Sequence, residues 1–316
     1  MKLIVPLAVN DARLTDSNVT ETAGSEGETE WTAGTYGLDV VRMITTTANG
    51  ASIATHIVYT SSKLGNTQDP SAGVTYKDDD DKDVLWWAVT RSTNRFKMFG
   101  QVVQDQTAFA EEITAEITPA DYVNALSLHN VDAASVRIEM TETVQGDFYD
   151  KTYSLVSVYG IDNWYNWFYD EVVRNSDFAI FDLPNIAGAV IDVTISDAGG
   201  TAKCGACVVG RQIDLGLSLA DSSFSITNYS TKTVDSVGRA TISAGPYAKR
   251  STVQYLMDTV DFPKVQRALA LTKDTPVVSV ADEDNDGTIN YGFIERFKHT
   301  ITEAGTIGSI DIQGLT

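Results

Sequence analysis

The sequence predicts a mainly β protein with several domains, and three observations support this class. Apolar and polar residues alternate with period two in many segments, which is the pattern of strands with one buried face. Gly, Asn and Asp clusters interrupt these segments about every ten residues, the turn spacing of sandwiches and barrels. The chain has 316 residues, too many for one small domain, so we expect two or three domains.

The first nine residues form a short apolar run that contains Lys2 and Pro6. A secretion signal has a longer apolar region and a small-residue cleavage site, so we interpret this run as a first strand. No stretch of the chain approaches the ~18 apolar residues of a membrane helix. We therefore expect no membrane span and synthesis in a cytoplasm.

The clearest strand pattern lies in residues 135–144. Val136, Ile138 and Met140 fall on one face, and the residues between them are polar. The same alternation predicts strands at 190–196, 224–230 and 296–303.

Helical patterns are scarce, and the best one covers residues 261–273. Asp261 is placed to cap this helix, and Pro263 suits its first turn, where a missing N–H leaves no bond unmade. The stripe expected to face the core consists of Val265, Ala268, Leu269 and Thr272.

We expect three domains along the chain. Residues 1–100 hold a first strand and a small aromatic β module, residues 101–215 form a jelly-roll-like β-sandwich, and residues 216–316 form a β-rich domain with one helix. Residues 162–169 are the densest aromatic run. We interpret them as a loop at a sandwich end or a contact with a neighbouring subunit, where Tyr and Trp are enriched; a second stacking surface is the alternative.

Composition and motifs exclude several function classes. Lys and Arg number 23 against 43 Asp and Glu, for a net charge of −20. Such a surface repels phosphate backbones, so we expect no nucleic-acid partner. Cys204 and Cys207 supply only half of a zinc site, and we expect both to be buried apolar residues. With no nucleophile elbow and no P-loop in the sequence, we predict that the chain is not an enzyme.

Large rings concentrate in the first hundred residues. Trp and Tyr rings bind the C–H face of a sugar when polar neighbours reach its hydroxyls. The alternative is that these rings form a domain core, the usual fate of large aromatics. The candidate carbohydrate-binding residues are Trp31, Tyr36, Tyr59, Trp86 and Trp87.

The order of these residues resembles that of chitin-binding-like modules. Tyr36-Gly-Leu-Asp-Val opens the motif, a Tyr on the next strand and a loop with Pro70 follow, and a Trp closes it. Leu38 stands where such modules have Gly. The resemblance implies a sugar-binding face and, as a partner, a glycan of a host surface.

Six short segments, spread in order over nearly the whole chain, carry a second resemblance. They are Lys2-Leu-Ile-Val-Pro-Leu-Ala-Val-Asn-Asp-Ala, Asn94-Arg-Phe-Lys-Met-Phe99, Phe181-Asp-Leu-Pro184, Cys207-Val-Val-Gly210, Asn228-Tyr-Ser-Thr-Lys232 and Tyr247-Ala-Lys-Arg250. On these segments the chain resembles a family of bacteriophage tail proteins. The resemblance implies a virion protein of the tail or baseplate region, with a jelly-roll-like middle domain, assembled with other tail proteins.

One acidic segment matches the first half of a calcium loop. Three carboxylates at alternate positions precede Gly287, and Thr288 could offer its carbonyl to the ion. Position twelve, however, is Phe293 rather than Glu. The alternatives are a structural Ca²⁺ and an acidic turn between strands, and we expect no other cofactor. The candidate ligands are Asp282, Asp284, Asp286 and Thr288.

Together these patterns predict a structural component of a phage tail or baseplate, located in the virion. We expect a homo-oligomer in the particle, because exposed sheet edges suit an assembly in which a partner pairs them. The alternatives are a tail-associated glycan depolymerase, which needs two carboxylates at a defined separation, and a capsid decoration or tail tube protein.

Overall fold

A computed structural model of the chain describes residues 1–22, 28–45, 55–142, 146–157, 163–169, 173–235, 238–283, 285–302 and 305–316, apart from the side chain at position 166. Strands account for 54% of the residues and helices for 8%. The predicted mainly β, multi-sheet fold is therefore confirmed.

The first hundred residues divide between two sheets and a hairpin. Strands β1 and β2 belong to a large sheet, β3, β4 and β7 form a small antiparallel sheet, and β5 and β6 form a separate hairpin. We call residues 28–92 the small domain. The strands are β1 (Lys2–Pro6), β2 (Leu14–Ser17), β3 (Val41–Ile44), β4 (Ile57–Ser61), β5 (Thr75–Lys77), β6 (Asp83–Leu85) and β7 (Trp87–Ser92).

The middle of the chain contributes six strands and one short helix. All six strands join the large sheet, and the helix lies in the excursion between β11 and β12. The elements are β8 (Thr107–Ile117), β9 (Ala125–Asp132), β10 (Ser135–Glu142), β11 (Gly146–Ser154), α1 (Trp164–Tyr169), β12 (Phe178–Ile180) and β13 (Val190–Asp214).

The last third adds strands to the same sheet and one hairpin outside it. Strands β16 and β17 pair only with each other among the described residues. The elements are β14 (Leu217–Ser218), β15 (Ser223–Asn228), β16 (Thr231–Val234), β17 (Ala240–Ser243), β18 (Tyr247–Met257), α2 (Phe262–Leu271), β19 (Val277–Val280), β20 (Ile289–Thr302) and β21 (Gly305–Gly314).

The 25-residue strand β13 organises the large sheet. Its first half pairs with β10 and β8, and its second half pairs with β9 and β1. Strand β1 then pairs with β19, so the hydrogen-bonded sheet continues past residue 215. The domain boundaries at 100 and 215 stay predictions.

The pairing of β13 with β1 has a clear sequence requirement at Gly210. A Cβ at this position would lie 2.1 Å from the carbonyl oxygen of Val5. Any larger residue would therefore push the two strands apart, which gives a physical reason for the glycine that ends the segment 207–210.

Buried side chains form separate clusters. The alternating apolar residues of β8, β10 and β13, such as Ile113, Ile138 and Ile195, fill the interior of the sandwich. A second cluster joins β18, α2 and β21 around Tyr255, and a third joins β1, β9 and β19. The small domain has its own aromatic cluster.

The predicted strands at 135–144 and 224–230 correspond to β10 and β15, and the patterns at 190–196 and 296–303 are parts of the longer strands β13 and β20; positions 143, 144 and 303 lie outside the described residues. The predicted helix is confirmed as α2, with Pro263 in its first turn and with Val265 and Leu269 buried. One detail was wrong. Asp261 has helical backbone angles and its side chain makes no capping hydrogen bond, because a residue already wound into the helix cannot turn its carboxylate back onto the first N–H groups.

The prediction of a loop at residues 162–169 is also wrong, because Trp164–Tyr169 form helix α1.

Cys204 and Cys207 are both buried with free thiols, as expected, and burial raises the pKa of Cys207 to about 12.

Within the ranges that the structure describes, neither helix is long and apolar enough to cross a membrane.

Candidate functional site

Three of the five predicted sugar-binding rings lie in the core of the small domain. Tyr36, Tyr59 and Trp87 expose 9%, 6% and 3% of their surface. The Tyr36 and Trp87 rings meet edge to face with centroids 5.3 Å apart, and Trp87 Nε1 donates to the carbonyl oxygen of Gln68 at 2.7 Å. Protein atoms cover the flat faces of these rings, which leaves no room there for a sugar.

The other two rings, Trp31 and Trp86, are half-buried at the edge of the same core. The Trp31 indole Nε1 is enclosed, and no described residue accepts a hydrogen bond from it. Trp86 lies just before β7 and packs beside Tyr76 of β5, with ring centroids 5.2 Å apart and planes inclined by 60°. Trp31 and Trp86 therefore both keep some accessible surface.

Tyr76 was not among the predicted binding residues, because it lies in an acidic segment, where only Lys77 separates it from a run of four aspartates. Its position beside Trp86 follows from the register of the β5–β6 hairpin. Tyr76 pairs with Val84 across β5 and β6, and positions 84 and 86 lie on one face of an extended chain, so Tyr76 and Trp86 become neighbours.

A cation completes this surface. Lys63 Nζ lies 4.2 Å from the Tyr76 ring centroid and 4.9 Å from that of Trp86. Tyr76 donates to the carbonyl oxygen of Ser62 at 3.1 Å, which fixes the ring in place. We call Lys63, Tyr76 and Trp86 the ring–lysine surface. Lys63 places its ammonium group over one face of each ring, where the ring electrons attract the cation.

The acidic loop at 282–288 joins two strands, β19 and β20, rather than two helices. Thr288 Oγ1 donates to the carbonyl oxygens of Asp282 and Asn285 at 2.8 and 2.9 Å, and Asn285 Oδ1 accepts from the Gly287 amide. The loop is thus closed by its own hydrogen bonds.

Of the four predicted calcium ligands, Asp282, Asp286 and Thr288 lie in this loop, and Asp284 lies outside the described residues. In the part of the chain that the structure describes, no group of three or more His, Cys, Asp or Glu side chains is arranged to hold a metal ion. Calcium binding here stays a prediction.

The structure also brings together a serine, a histidine and an aspartate that no sequence motif connects. Ser127 and His129 lie on one face of β9, and Ser127 Oγ is 3.0 Å from His129 Nε2. His129 Nδ1 is 3.0 Å from Asp177 Oδ1, and Lys249 Nζ is 2.6 Å from Asp177 Oδ2. Burial opposes ionisation of Asp177, but His129 and Lys249 outweigh it and lower the pKa of Asp177 to about 2.

This arrangement resembles a catalytic triad in composition only. Ser127 has no exposed surface, and its hydroxyl donates to the carbonyl oxygen of Phe178 at 2.8 Å. The adjoining cavity, lined by His129, Asp177 and Lys249, is small, with a volume of about 30 Å³. In this structure the group links β9, β12 and β18, and the Ser127 hydroxyl is enclosed.

A second charged group lies where the small domain meets the large sheet. His56 Nε2 is 2.6 Å from Asp11 Oδ1, and Nδ1 is 3.0 Å from Glu21 Oε1. The imidazole stacks on Phe96 with ring centroids 3.9 Å apart. Burial alone would favour neutral imidazole, but the two carboxylates overcome it and raise the pKa of His56.

Comparison of this chain with protein-family models, curated proteins and solved structures gave no match.

Proposed function

We propose that this chain is a structural component of a phage tail or baseplate region, which assembles with copies of itself and with other tail proteins. The ordered resemblance in the sequence supports the virion assignment. The observation that carries the assembly part is the hairpin of β16 and β17.

Every residue of strands β16 and β17 is exposed, including Val234 at 59% and Ile242 at 71%. A two-stranded ribbon without a covering layer is marginally stable in water. Its apolar side chains gain most if a partner surface covers them. An arm of this kind is expected in a subunit that completes its core on assembly.

Charge favours a second copy of this chain as that partner. Residues 229–246 contain two cations, Lys232 and Arg239, and one carboxylate, Asp235, so the arm has a net charge of +1 on a chain of −20. An arm of one sign and a body of the other attract across a subunit interface. A contact between arm and body forms either reciprocally, in a two-fold dimer, or head-to-tail, in a ring or a filament.

The mass of the purified chain in solution tests this proposal. We expect an oligomer by size-exclusion chromatography with light scattering, and a monomer for the double variant Val234→Ser/Ile242→Ser. Val89→Ser, which changes an equally exposed valine of the small domain, is the matched control and should keep the oligomer. A wild-type chain that stays monomeric at high concentration would contradict self-assembly, as would an unchanged mass for the double variant.

We further propose that the small domain binds host-surface glycans through the ring–lysine surface and the neighbouring edge of its core. The support is the partly buried Tyr76–Trp86 pair, which keeps accessible surface, with Lys63 over both rings. Tyr36, Tyr59 and Trp87 would then act indirectly, by holding β4 and β7 in place.

A further inference from the structure

The small domain is attached to the large sheet without sharing a strand with it. Among the described residues, β3, β4 and β7 pair only with one another, and β5 pairs only with β6. The chain enters the domain after β2 and leaves it after β7. The Asn94 amide donates to the carbonyl oxygen of Glu21 at 2.9 Å, which brings the two connections together at one junction. Contacts at this junction, rather than strand pairing, therefore position the domain.

His56 lies at this junction, directly before β4. Its amide donates to the carbonyl oxygen of Ile44 at 2.7 Å, and its carbonyl oxygen accepts from the Thr93 amide at 2.9 Å. The residue is 9% exposed. Its φ of 61° is a left-handed conformation, in which Asn, Asp and His are the most common residues other than glycine. Burial and the two backbone bonds together fix the place of the imidazole.

Two carboxylates that flank β2 face the two ring nitrogens of His56. Nε2 is 2.6 Å from Oδ1 of Asp11, before β2, and Nδ1 is 3.0 Å from Oε1 of Glu21, after β2. Nδ1 is enclosed, and its contact with Glu21 is an ion pair rather than an aligned hydrogen bond. Phe96 stacks on the ring, with centroids 3.9 Å apart. One side chain of the small domain thus connects to two carboxylates beside a strand of the large sheet.

This arrangement fits only the charged form of the ring. A neutral imidazole has one N–H and one lone pair. With the proton on Nε2, the Nδ1 lone pair would face Glu21, and with the proton on Nδ1, the Nε2 lone pair would face Asp11. Imidazolium instead presents an N–H to each carboxylate. Burial, the largest single influence, lowers the pKa of His56, but Glu21 and Asp11 together outweigh it and raise the pKa.

Glu21 is the more important of the two carboxylates. Its side chain is 20% exposed against 59% for Asp11, so water screens its charge less. Arg95 is the next charged group, with Nη1 3.9 Å from Glu21 Oε1. Burial raises the pKa of Glu21, but the contacts with His56, Thr93 and Arg95 outweigh it and lower the pKa. Glu21 is therefore ionised wherever His56 titrates.

We propose that His56 is a pH-sensitive clamp that holds the small domain in one orientation against the large sheet. The charged ring bridges Asp11 and Glu21, whereas the neutral ring has one N–H for two carboxylates. Because the pKa of His56 is raised, the clamp is complete at or below the ordinary histidine pKa and is lost as the pH rises through the raised value. At the acid end it is lost as the pH falls through the lowered pKa of Glu21. The proposal is independent of the virion and glycan assignments, because it needs only the junction.

An NMR titration of the histidine ring protons in the full chain tests the charge state. The chain has three histidines, at positions 56, 129 and 299, and the variant His56→Asn identifies the His56 signal by its loss. We expect a wild-type midpoint above the ordinary histidine value of about 6.5. Glu21→Gln keeps the shape of the side chain and removes its charge, so it should move the His56 midpoint to lower pH.

A distance measurement between two spin labels tests the orientation of the small domain. Leu64→Cys in the small domain and Tyr122→Cys between β8 and β9 provide exposed attachment sites, since both native cysteines are buried. We expect a narrow distance distribution below the His56 midpoint and a broader or shifted one above it. In Glu21→Gln, this change should move to lower pH together with the midpoint.

Two further variants complete the distance measurement. His56→Asn should give the broad distribution on both sides of the wild-type midpoint, because Asn accepts the left-handed backbone but carries no charge. His299→Gln changes a histidine on β20, whose Nε2 is 2.8 Å from the Tyr255 hydroxyl. It is the control and should respond like the wild type. Circular dichroism confirms that each variant is folded at both pH values.

Three results would overturn the proposal. One is a His56 midpoint at or below the ordinary value. Another is a midpoint that Glu21→Gln leaves unchanged. The third is a distance distribution that is the same on both sides of the His56 midpoint in the wild-type chain, since the charged contacts would then not orient the domain.

Discussion

The aromatic side chains of the small domain and those of residues 163–169, the aromatic tip, are of the same kinds and have opposite surroundings. In the small domain, a three-stranded sheet encloses Tyr36, Tyr59 and Trp87. In the tip, a single six-residue helix carries five rings, and no second layer formed by the described residues covers them. Ring type therefore does not decide burial; the presence of a second packed layer does.

The difference also separates structural from binding roles. A buried ring contributes apolar area and fixes strand positions, so its loss is felt as lost stability. An exposed ring contributes almost nothing to folding, so a cluster of them calls for another explanation, such as a partner. The half-buried rings Trp31 and Trp86 lie between these limits.

The largest expected effect is at Trp87. Trp87→Ala removes a side chain that is 3% exposed together with its hydrogen bond to Gln68. We expect a loss of about 3–5 kcal/mol in the unfolding free energy of the small domain, the range for deleting a buried large aromatic. Urea unfolding followed by fluorescence measures it. A loss below about 1 kcal/mol would show that this ring is not part of the core.

An intermediate effect is expected at Trp86. Trp86→Ala should cost about 1–2 kcal/mol, since only part of the ring is buried, and should abolish binding on a glycan array while the domain stays folded. Leu85→Ala changes the exposed neighbour and serves as the control. Glycan binding that survives in Trp86→Ala would move the sugar site away from the ring–lysine surface.

The smallest effect is expected at Trp164. Because this side chain is 78% exposed, Trp164→Ala should change the unfolding free energy by less than about 0.5 kcal/mol. Thermal unfolding of wild type and variant measures the difference. A loss of several kcal/mol would mean that the tip is packed in solution and would erase the contrast with the small domain.

The sequence predicted the regular parts of the fold well. Alternation at 135–144 and 190–196 identified β10 and the start of β13, because the two faces of a strand in a sandwich meet different environments. The helical stripe at Val265 and Leu269 identified α2 for the same reason. The sequence also singled out the aromatic residues of the first hundred positions as a group.

The sequence could not divide that group into core and surface. From the sequence alone, Tyr36 and Trp86 are equally plausible stacking rings. Only the packing of β3, β4 and β7 buries Tyr36 and leaves Trp86 partly buried. Tyr76 and Lys63 join the surface through strand pairing and a cation–ring contact. The Ser127–His129–Asp177 group was equally hidden, because Asp177 reaches β9 only through the pairing of β12.

The sequence by itself determined which segments become strands, where α2 lies, and that the chain carries a strong negative charge. These are local or additive properties, set by side-chain periodicity and composition. The tertiary structure decided which rings are enclosed, which histidines meet carboxylates, and which hairpin and helix remain uncovered. Those outcomes depend on contacts between residues far apart in the chain, and solvent access to a side chain is fixed only when the layers around it have formed.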